Sequence, residues 1–421
     1  MATSEGAKAE QRRLGLEVAT YFTSTLKYNF VGFAGIGRHG GALILRERAT
    51  TTEGEASGQG QEQGQWKGEV EGRTLVIKYS HGRLASARDA SDADEDLRNE
   101  HRVLTRLRGA EHIVQLVPMA DCSLRIPGMS DGEGTYGRGG EGEGEGEVTD
   151  RGRRCPTFAL EYLPGGTITK FRMRVRRHTK LTWLPSRLLW RIWLCMVRQC
   201  VAMAFPPDIP EERYVAGNLT RETLKPRPYT NLTQNSAHAD NFMFGLESQI
   251  PGLEHEPKLP VLKLIDFGRG KIESERRSLR HLPNNPDEFG SRLNLFNASW
   301  VMMKVCCINI RENKPFDLVR PAVTYRWDGP EPGEMQTLAP AIFREHPTVD
   351  PQLRTLLVRL MPEYLSNTLP LEDVLRETAT AVANKGEDDP TLYTPAGREL
   401  PIIESDDFIK ELIQKVVYNA D

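Results

Sequence analysis

Leu264-Ile265-Asp266-Phe267-Gly268 is an apolar strand that delivers a carboxylate to its end, followed by a Phe fit for burial and a Gly that permits a turn. An aspartate placed in that way is a hard-oxygen ligand suited to magnesium. Upstream, Asn241-Phe242-Met243-Phe244-Gly245 puts an amide oxygen at the start of a second short apolar strand. Two strands, each presenting an oxygen at an equivalent end, make a plausible magnesium-nucleotide site. Upstream of this pair, the pattern of the chain changes at a seam. On the N-terminal side it is strand-like, at 28–34, 42–45, 74–78, 113–117 and 158–163, with a charged helix from about Asp92 to Arg108. On the C-terminal side helices prevail, at about 184–205, 291–307, 351–362, 370–384 and 405–419. The seam falls near Pro164-Gly165-Gly166.

Three features of the strand-rich half carry further chemistry. Gly35, Gly37 and Gly40 form a glycine pattern with a strand on both sides, so backbone amides can approach phosphates closely. A dinucleotide fold would need a helix after it. The bare alternative is a glycine-rich hairpin. Lys78 ends an apolar strand and is positioned to reach into a cleft, although a strand-end lysine on its own is usually solvated. Glu100, on the following helix, is a candidate partner by order and spacing.

In this order the elements resemble the protein kinase superfamily, over about Tyr28 to Leu375: glycine loop, strand lysine, helix glutamate, the stretch Glu161-Tyr162-Leu163-Pro164-Gly165-Gly166 as hinge, then the Asn241 and Asp266 strands. The resemblance implies an α+β, bilobal protein-kinase-like fold, with a small antiparallel β-sheet N-lobe carrying one main helix and a larger, mostly helical C-lobe. It implies ATP and Mg2+ as cofactors. Lys78 would hold the α/β-phosphates and pair with Glu100, while Asn241 and Asp266 would bind the metal. Ala42, Val76 and Met243 would sandwich the adenine, with Leu160 as gatekeeper and the backbone of Glu161 and Leu163 at its edge. Leu104 would stack towards Phe267.

The resemblance also has gaps. The family places its catalytic Asp five residues before the magnesium-binding Asn, and that position here is Ser236; the preceding His and Arg positions are Gln234 and Asn235. A serine hydroxyl is a poor base near neutral pH. His238 is the nearby group that could contact the γ-phosphate or the incoming hydroxyl, as could Asp240. Arg221-Glu222-Thr223-Leu224-Lys225-Pro226 is like the family's catalytic loop but lacks an Asn at the required offset. Asn294 replaces the Asp that usually starts the long central helix, and no Ala-Pro-Glu follows Phe267. The expected function is transfer from Mg-ATP to protein Ser/Thr. The alternative is a pseudokinase that works as a nucleotide-binding or scaffold protein. A small-molecule kinase fits the hinge and late helices less well.

Composition bounds the rest. The chain has 421 residues and a net charge of −3, which argues for no nucleic-acid partner; a protein substrate or partner is expected instead. Six cysteines without CxxC pairing read as thiols of a reducing compartment, predicting an intracellular, cytoplasmic protein. Trp183–Phe205 carries Arg187, Arg191 and Arg198, so it reads as a buried amphipathic helix and not as a membrane span. The expected division is an N-terminal helical extension (1–27), the N-lobe (28–163) with flexible insertions at about 51–66 and 131–150, the C-lobe (164–385), and a C-terminal extension with a terminal helix (386–421). The basic stretch 170–180 reads as a solvated helix face or as a surface for an acidic partner.

Overall fold

The structure is a computed structural model and describes residues 4–24, 27–37, 40–48, 72–80, 87–117, 157–215, 217–248, 250, 259–272, 288–308, 316–328, 332–387 and 404–419. The two stretches read as loops, 51–66 and 131–150, lie outside these residues, as do Arg38 and His39 of the glycine hairpin, Cys122 and Cys155. It is a mixed α and β structure with a small antiparallel sheet and many helices. It divides into two compact units, the first made of 1–102 and 116–162, the second of 103–115 and 163–421.

The first unit is built on a five-stranded antiparallel sheet. Its elements are α1 (Ser4–Ser24), β1 (Tyr28–Ile36), β2 (Gly40–Glu47), β3 (Thr74–Ser80), most of α2 (Ala87–Arg106), β4 (Leu116–Val117) and β5 (Thr157–Glu161), with strand order β1-β2-β3-β5-β4. Alternation along the strands sorts their side chains onto two faces. Leu43, Leu45, Leu75, Ile77, Tyr79 and Ala159 share one core with Leu14, Val18, Ala19 and Phe22 of α1. Helix α1 is therefore an integral layer against the sheet, because its apolar residues recur at helical spacing on one side; Leu14, Val18 and Phe22 each contribute roughly 1.5–3 kcal/mol. The run expected as a strand at 113–117 forms only β4, since Ile113 bridges instead to Leu264 in the second unit together with its neighbours 103–115.

The second unit contains β6 (Gly166–Thr167), α3 (Ile168–His178), α4 (Ser186–Ala204), β7 (Leu232–Thr233), β8 (Phe242–Glu247), β9 (Pro260–Leu264), β10 (Lys271–Ile272), α5 (Phe289–Cys306), β11 (Val323–Trp327), β12 (Gly333–Thr337), α6 (Ala341–Arg344), α7 (Pro351–Arg359), α8 (Leu371–Asn384) and α9 (Asp406–Ile413), which continues as a π-helical turn, Gln414–Tyr418. Helix α4 is its axis. The sequence pattern suggested an amphipathic helix, but every residue of α4 except Arg198 is buried. Its arginines are accommodated by partners supplied from far along the chain. Arg187 donates to the carbonyls of Glu404 (2.6 Å) and Lys385 (3.1 Å) and pairs with Asp406 at 2.7 Å. Glu404 in turn accepts from the amides of Ser186 (2.6 Å) and Arg187 (3.2 Å), the orphan donors of the helix start. Burial pushes the Glu404 carboxyl above its usual range, while these two amides and Arg187 oppose the shift. No helix among the described residues is long and apolar enough to cross a membrane.

A second buried polar contact fixes the segment before β4. His112 and Glu222 are both essentially inaccessible, with His112 Nδ1 2.7 Å from Glu222 Oε2, and Glu222 Oε1 accepts from the His112 amide at 2.8 Å. Burial, the largest effect on the imidazole, favours its neutral form. The Glu222 carboxylate and the Cys195 thiol outweigh it and raise the pKa from 6.5 to about 10.

These two contacts yield two predictions. Glu404→Ala leaves buried amides without an acceptor and should cost about 1–3 kcal/mol, read as a lower urea midpoint at unchanged slope, with Glu404→Gln losing less. His112 binds its proton more tightly folded than unfolded, so its stabilisation is full below pH 6.5 and is lost as pH rises towards about 10. Denaturant titrations across that window should show stability falling in the wild type and a flatter profile in His112→Gln.

Candidate functional site

The expected site residues fall into two sets, one in each unit. In the first, the face of the sheet opposite α1 carries the relevant side chains. Ala42 lies across from Lys78 on β2 and β3, Val76 lies across from Leu160 on β3 and β5, and Glu161 is opposite Leu75. Lys78 projects from this face to α2, where its Nζ donates to both carboxylate oxygens of Glu100, at 2.7 and 2.6 Å. Glu100 is 2% exposed and Lys78 retains 22%, so the ammonium is held rigidly with part of its surface still open. A partly desolvated pair of this kind is worth more than an exposed one, because its charges are less screened.

The glycine hairpin spans β1 and β2, with the Gly37 amide donating to the Gly40 carbonyl at 2.9 Å. Its glycines serve two different ends. At Gly41 a Cβ would lie 2.3 Å from the Tyr79 hydroxyl, so packing alone demands the glycine. At Gly35 a Cβ would meet nothing within 4 Å, so that part of the hairpin is open to a close-approaching group.

In the second unit β8 and β9 pair antiparallel, Phe242 opposite Leu264. Asn241 just before β8 and Asp266 just after β9 therefore come to the same end of the hairpin, where the Ile265 amide donates to the Asn241 carbonyl at 2.8 Å. Asn241 is buried, and its Nδ2 donates to the Ser236 carbonyl at 2.6 Å. Its Oδ1 accepts no hydrogen bond among the described residues. Asp266 takes a left-handed conformation (φ 61°), which an aspartate tolerates better than most residues but which needs outside support. Gln234 supplies that support, donating from Nε2 to the Asp266 carbonyl at 2.8 Å. Phe267 is fully buried beyond it. Met243 follows on β8, and Leu163 opens the second unit with its side chain against Gly245.

The loop from β7 to Asn241 is held by amides throughout. Gln234 Oε1 accepts from the Ser236 amide (2.9 Å), and Asn235, also at positive φ, donates to Thr233 Oγ1 at 2.7 Å. Asn294 of α5 donates to the Leu232 carbonyl (2.8 Å) and accepts from the Gln234 amide (3.3 Å). Ser236 sits at the centre with both backbone groups engaged. His238 and Asp240 are more than half exposed and 4.0 Å apart, and Asp240 also accepts from Thr167 Oγ1 at 3.1 Å. Glu222, in the stretch with a loop-like sequence, is turned into the buried contact with His112 and away from solvent. Asn294 was legible only as a departure from the family pattern; its double hydrogen bond to the loop emerges from the fold.

No protein-family model matches the chain, and no curated protein sequence matches it. Among solved structures, the chain is similar to one from "the CAK complex form Chaetomium thermophilum bound to ATP-gamma-S", at 14% identity and a TM-score of 0.46, over 85% of this chain and 92% of that chain.

Proposed function

We propose that this chain is a kinase-like nucleotide-binding protein that takes Mg-ATP and transfers its terminal phosphoryl group to a protein Ser or Thr. The observation that carries the reading is that the Asn241 amide oxygen, which accepts no hydrogen bond among the described residues, and Asp266 lie at one end of the β8–β9 hairpin. The donor set fits magnesium, which favours one or two protein oxygens and completes its shell with phosphate oxygens and water. Bound there, it would neutralise charge on the phosphates. Lys78, fixed by Glu100, is suited to hold the α/β-phosphates, and the open Gly35 hairpin offers backbone amides to them. Ala42, Val76, Leu160 and Met243 would form the apolar walls for adenine, with the backbone of Glu161 and Leu163 at its edge. In this reading the two units are the lobes of a bilobal fold.

Ser236 occupies the place of the usual base, and its hydroxyl does not accept a proton near neutral pH. Phosphoryl transfer depends chiefly on positioning and charge neutralisation, so the reaction does not require a strong base. His238, exposed beside Ser236, is the group available to the incoming hydroxyl or the terminal phosphate. A second reading, a pseudokinase that binds nucleotide and acts through protein contacts, draws on a specific observation: the side chains of Gln234, Asn235, Asn241 and Asn294 that brace the backbone around Ser236 are neutral amides, with the Thr233 hydroxyl as a further acceptor.

Thermal shift and transfer of label from radiolabelled ATP test both. Mg-ATP should raise the melting temperature of the wild type, and Lys78→Ala or Asp266→Ala should weaken binding by about tenfold or more, the scale of a lost charge-assisted contact. Label on protein that disappears in Asp266→Ala supports transfer, whereas binding without label supports the second reading. An ATP shift equal in the wild type and both variants would remove the nucleotide site altogether.

A further inference from the structure

Helix α3 has two stripes of opposite character. Ile168, Phe171 and Val175 are buried at helical spacing, and Phe171 packs its ring 5.2 Å from that of Phe244. On the reverse side Lys170, Met173 and Arg177 are exposed, and Lys180 is exposed just beyond the helix end. Met173 is 48% exposed, a large apolar side chain left in water between cations. The basic residues on the flanks are differently used: Arg174 donates to the carbonyls of Gly165 (3.2 Å) and Val416 (3.3 Å), and Arg176 donates to that of Ile308.

This outer stripe is electrostatically uncompensated within the helix. No Asp or Glu occurs from Thr167 to Lys180, so no acidic i,i+3 or i,i+4 neighbour offsets Lys170 or Arg177. Lys170 also lies in the first turn, where the helix dipole disfavours a cation. Asp240, bonded to the capping Thr167, offsets charge at the helix start only. The crowding is felt nearby, since Lys304 at the end of α5 is held below its usual range by burial and then by the Arg172 guanidinium, with Asp317 opposing.

We propose that the Lys170–Met173–Arg177 face of α3, with Lys180, docks a short acidic protein segment carrying an apolar residue that covers Met173. The stripe fits such an occupant in size and charge. Lys170 to Arg177 spans roughly 10 Å, the reach of three or four extended residues, and its few charges suit a short anionic segment. A long polyanion or an anionic membrane would also meet surface beyond the stripe, and the chain as a whole is negative, at −3 with the stripe's cations counted, which opposes it. The proposal does not rest on nucleotide binding, and the ATP-induced thermal shift should be the same with the stripe altered.

The test is fluorescence anisotropy of the full chain with a short labelled peptide of glutamates around a central leucine. Binding should be measurable at low salt and fall steeply by about 0.3 M, as expected for exposed charges. Lys170→Glu/Arg177→Glu/Lys180→Glu should weaken it by about tenfold or more, the milder Gln triple should also weaken it, and Met173→Ala should cost a smaller factor. Arg326→Glu, exposed on β11 and paired with Glu334, should leave binding unchanged. Melting curves confirm that each variant folds. Absence of peptide binding, or equal binding by either triple variant, would overturn the proposal. So would tighter, stripe-dependent binding to phosphatidylserine vesicles or single-stranded RNA.

Discussion

The hydrogen bond from Gln234 to the Asp266 carbonyl is the constraint on which the candidate site depends. Asp266 adopts a backbone conformation that costs free energy for any residue with a Cβ, and left to itself the turn would relax. Gln234 fixes one side of that turn while the Asn241 carbonyl, accepting from Ile265, fixes the other. Gln234 is buried, and is itself held through its amide by Asn294, which anchors the loop to α5. The carboxylate direction at Asp266 therefore follows from a chain of neutral, directional contacts that runs back to the helical core.

A comparable logic governs the first unit with different forces. Period-two alternation commits one face of the sheet to α1 and leaves the other to Ala42, Val76, Lys78 and Leu160. Lys78 is held against α2 because Glu100 is buried and would be costly without a cation; removing Lys78 would strand the Glu100 carboxylate. At the candidate site, Lys78 of the first unit is held by charge and the Asp266 turn of the second by uncharged amides. The two respond differently to conditions, since the amide network has no titrating member and salt acts on it weakly.

Much of this is legible in the sequence, because strand-end oxygen-bearing side chains, glycine turns and a Lys–Glu pair leave local signatures. The strand patterns around Lys78 and Asp266 and the helix bearing Glu100 came from periodicity, and the structure forms them within a few residues of the expected ends. What was hidden depends on partners distant in sequence. Nothing local marks Glu404 as a cap for α4, or Glu222 as the partner of His112. The role of α1 as a sheet layer was masked by its polar composition, since a few apolar side chains at the right spacing suffice. The β11–β12 hairpin was missed although Val323, Tyr325 and Trp327 alternate with polar residues as a half-buried strand does; each strand is only five residues long and the partner Gly333–Thr337 has little apolar content.

The amide-braced loop separates two demands that usually coincide. Holding a loop in shape needs donors and acceptors in fixed directions, and Gln, Asn or a charged side chain can each meet that need. Serving as a base needs a group whose proton affinity lies near the working pH, and neither an amide nor the Ser236 hydroxyl has one. The architecture around Ser236 satisfies the first demand fully, with buried donors and acceptors paired across the loop. Its ionisable neighbours, His238 and Asp240, sit outside that network and largely in solvent, free to change partners without disturbing it. The bracing of the loop around Ser236 therefore places no demand on the side chains of His238 or Asp240.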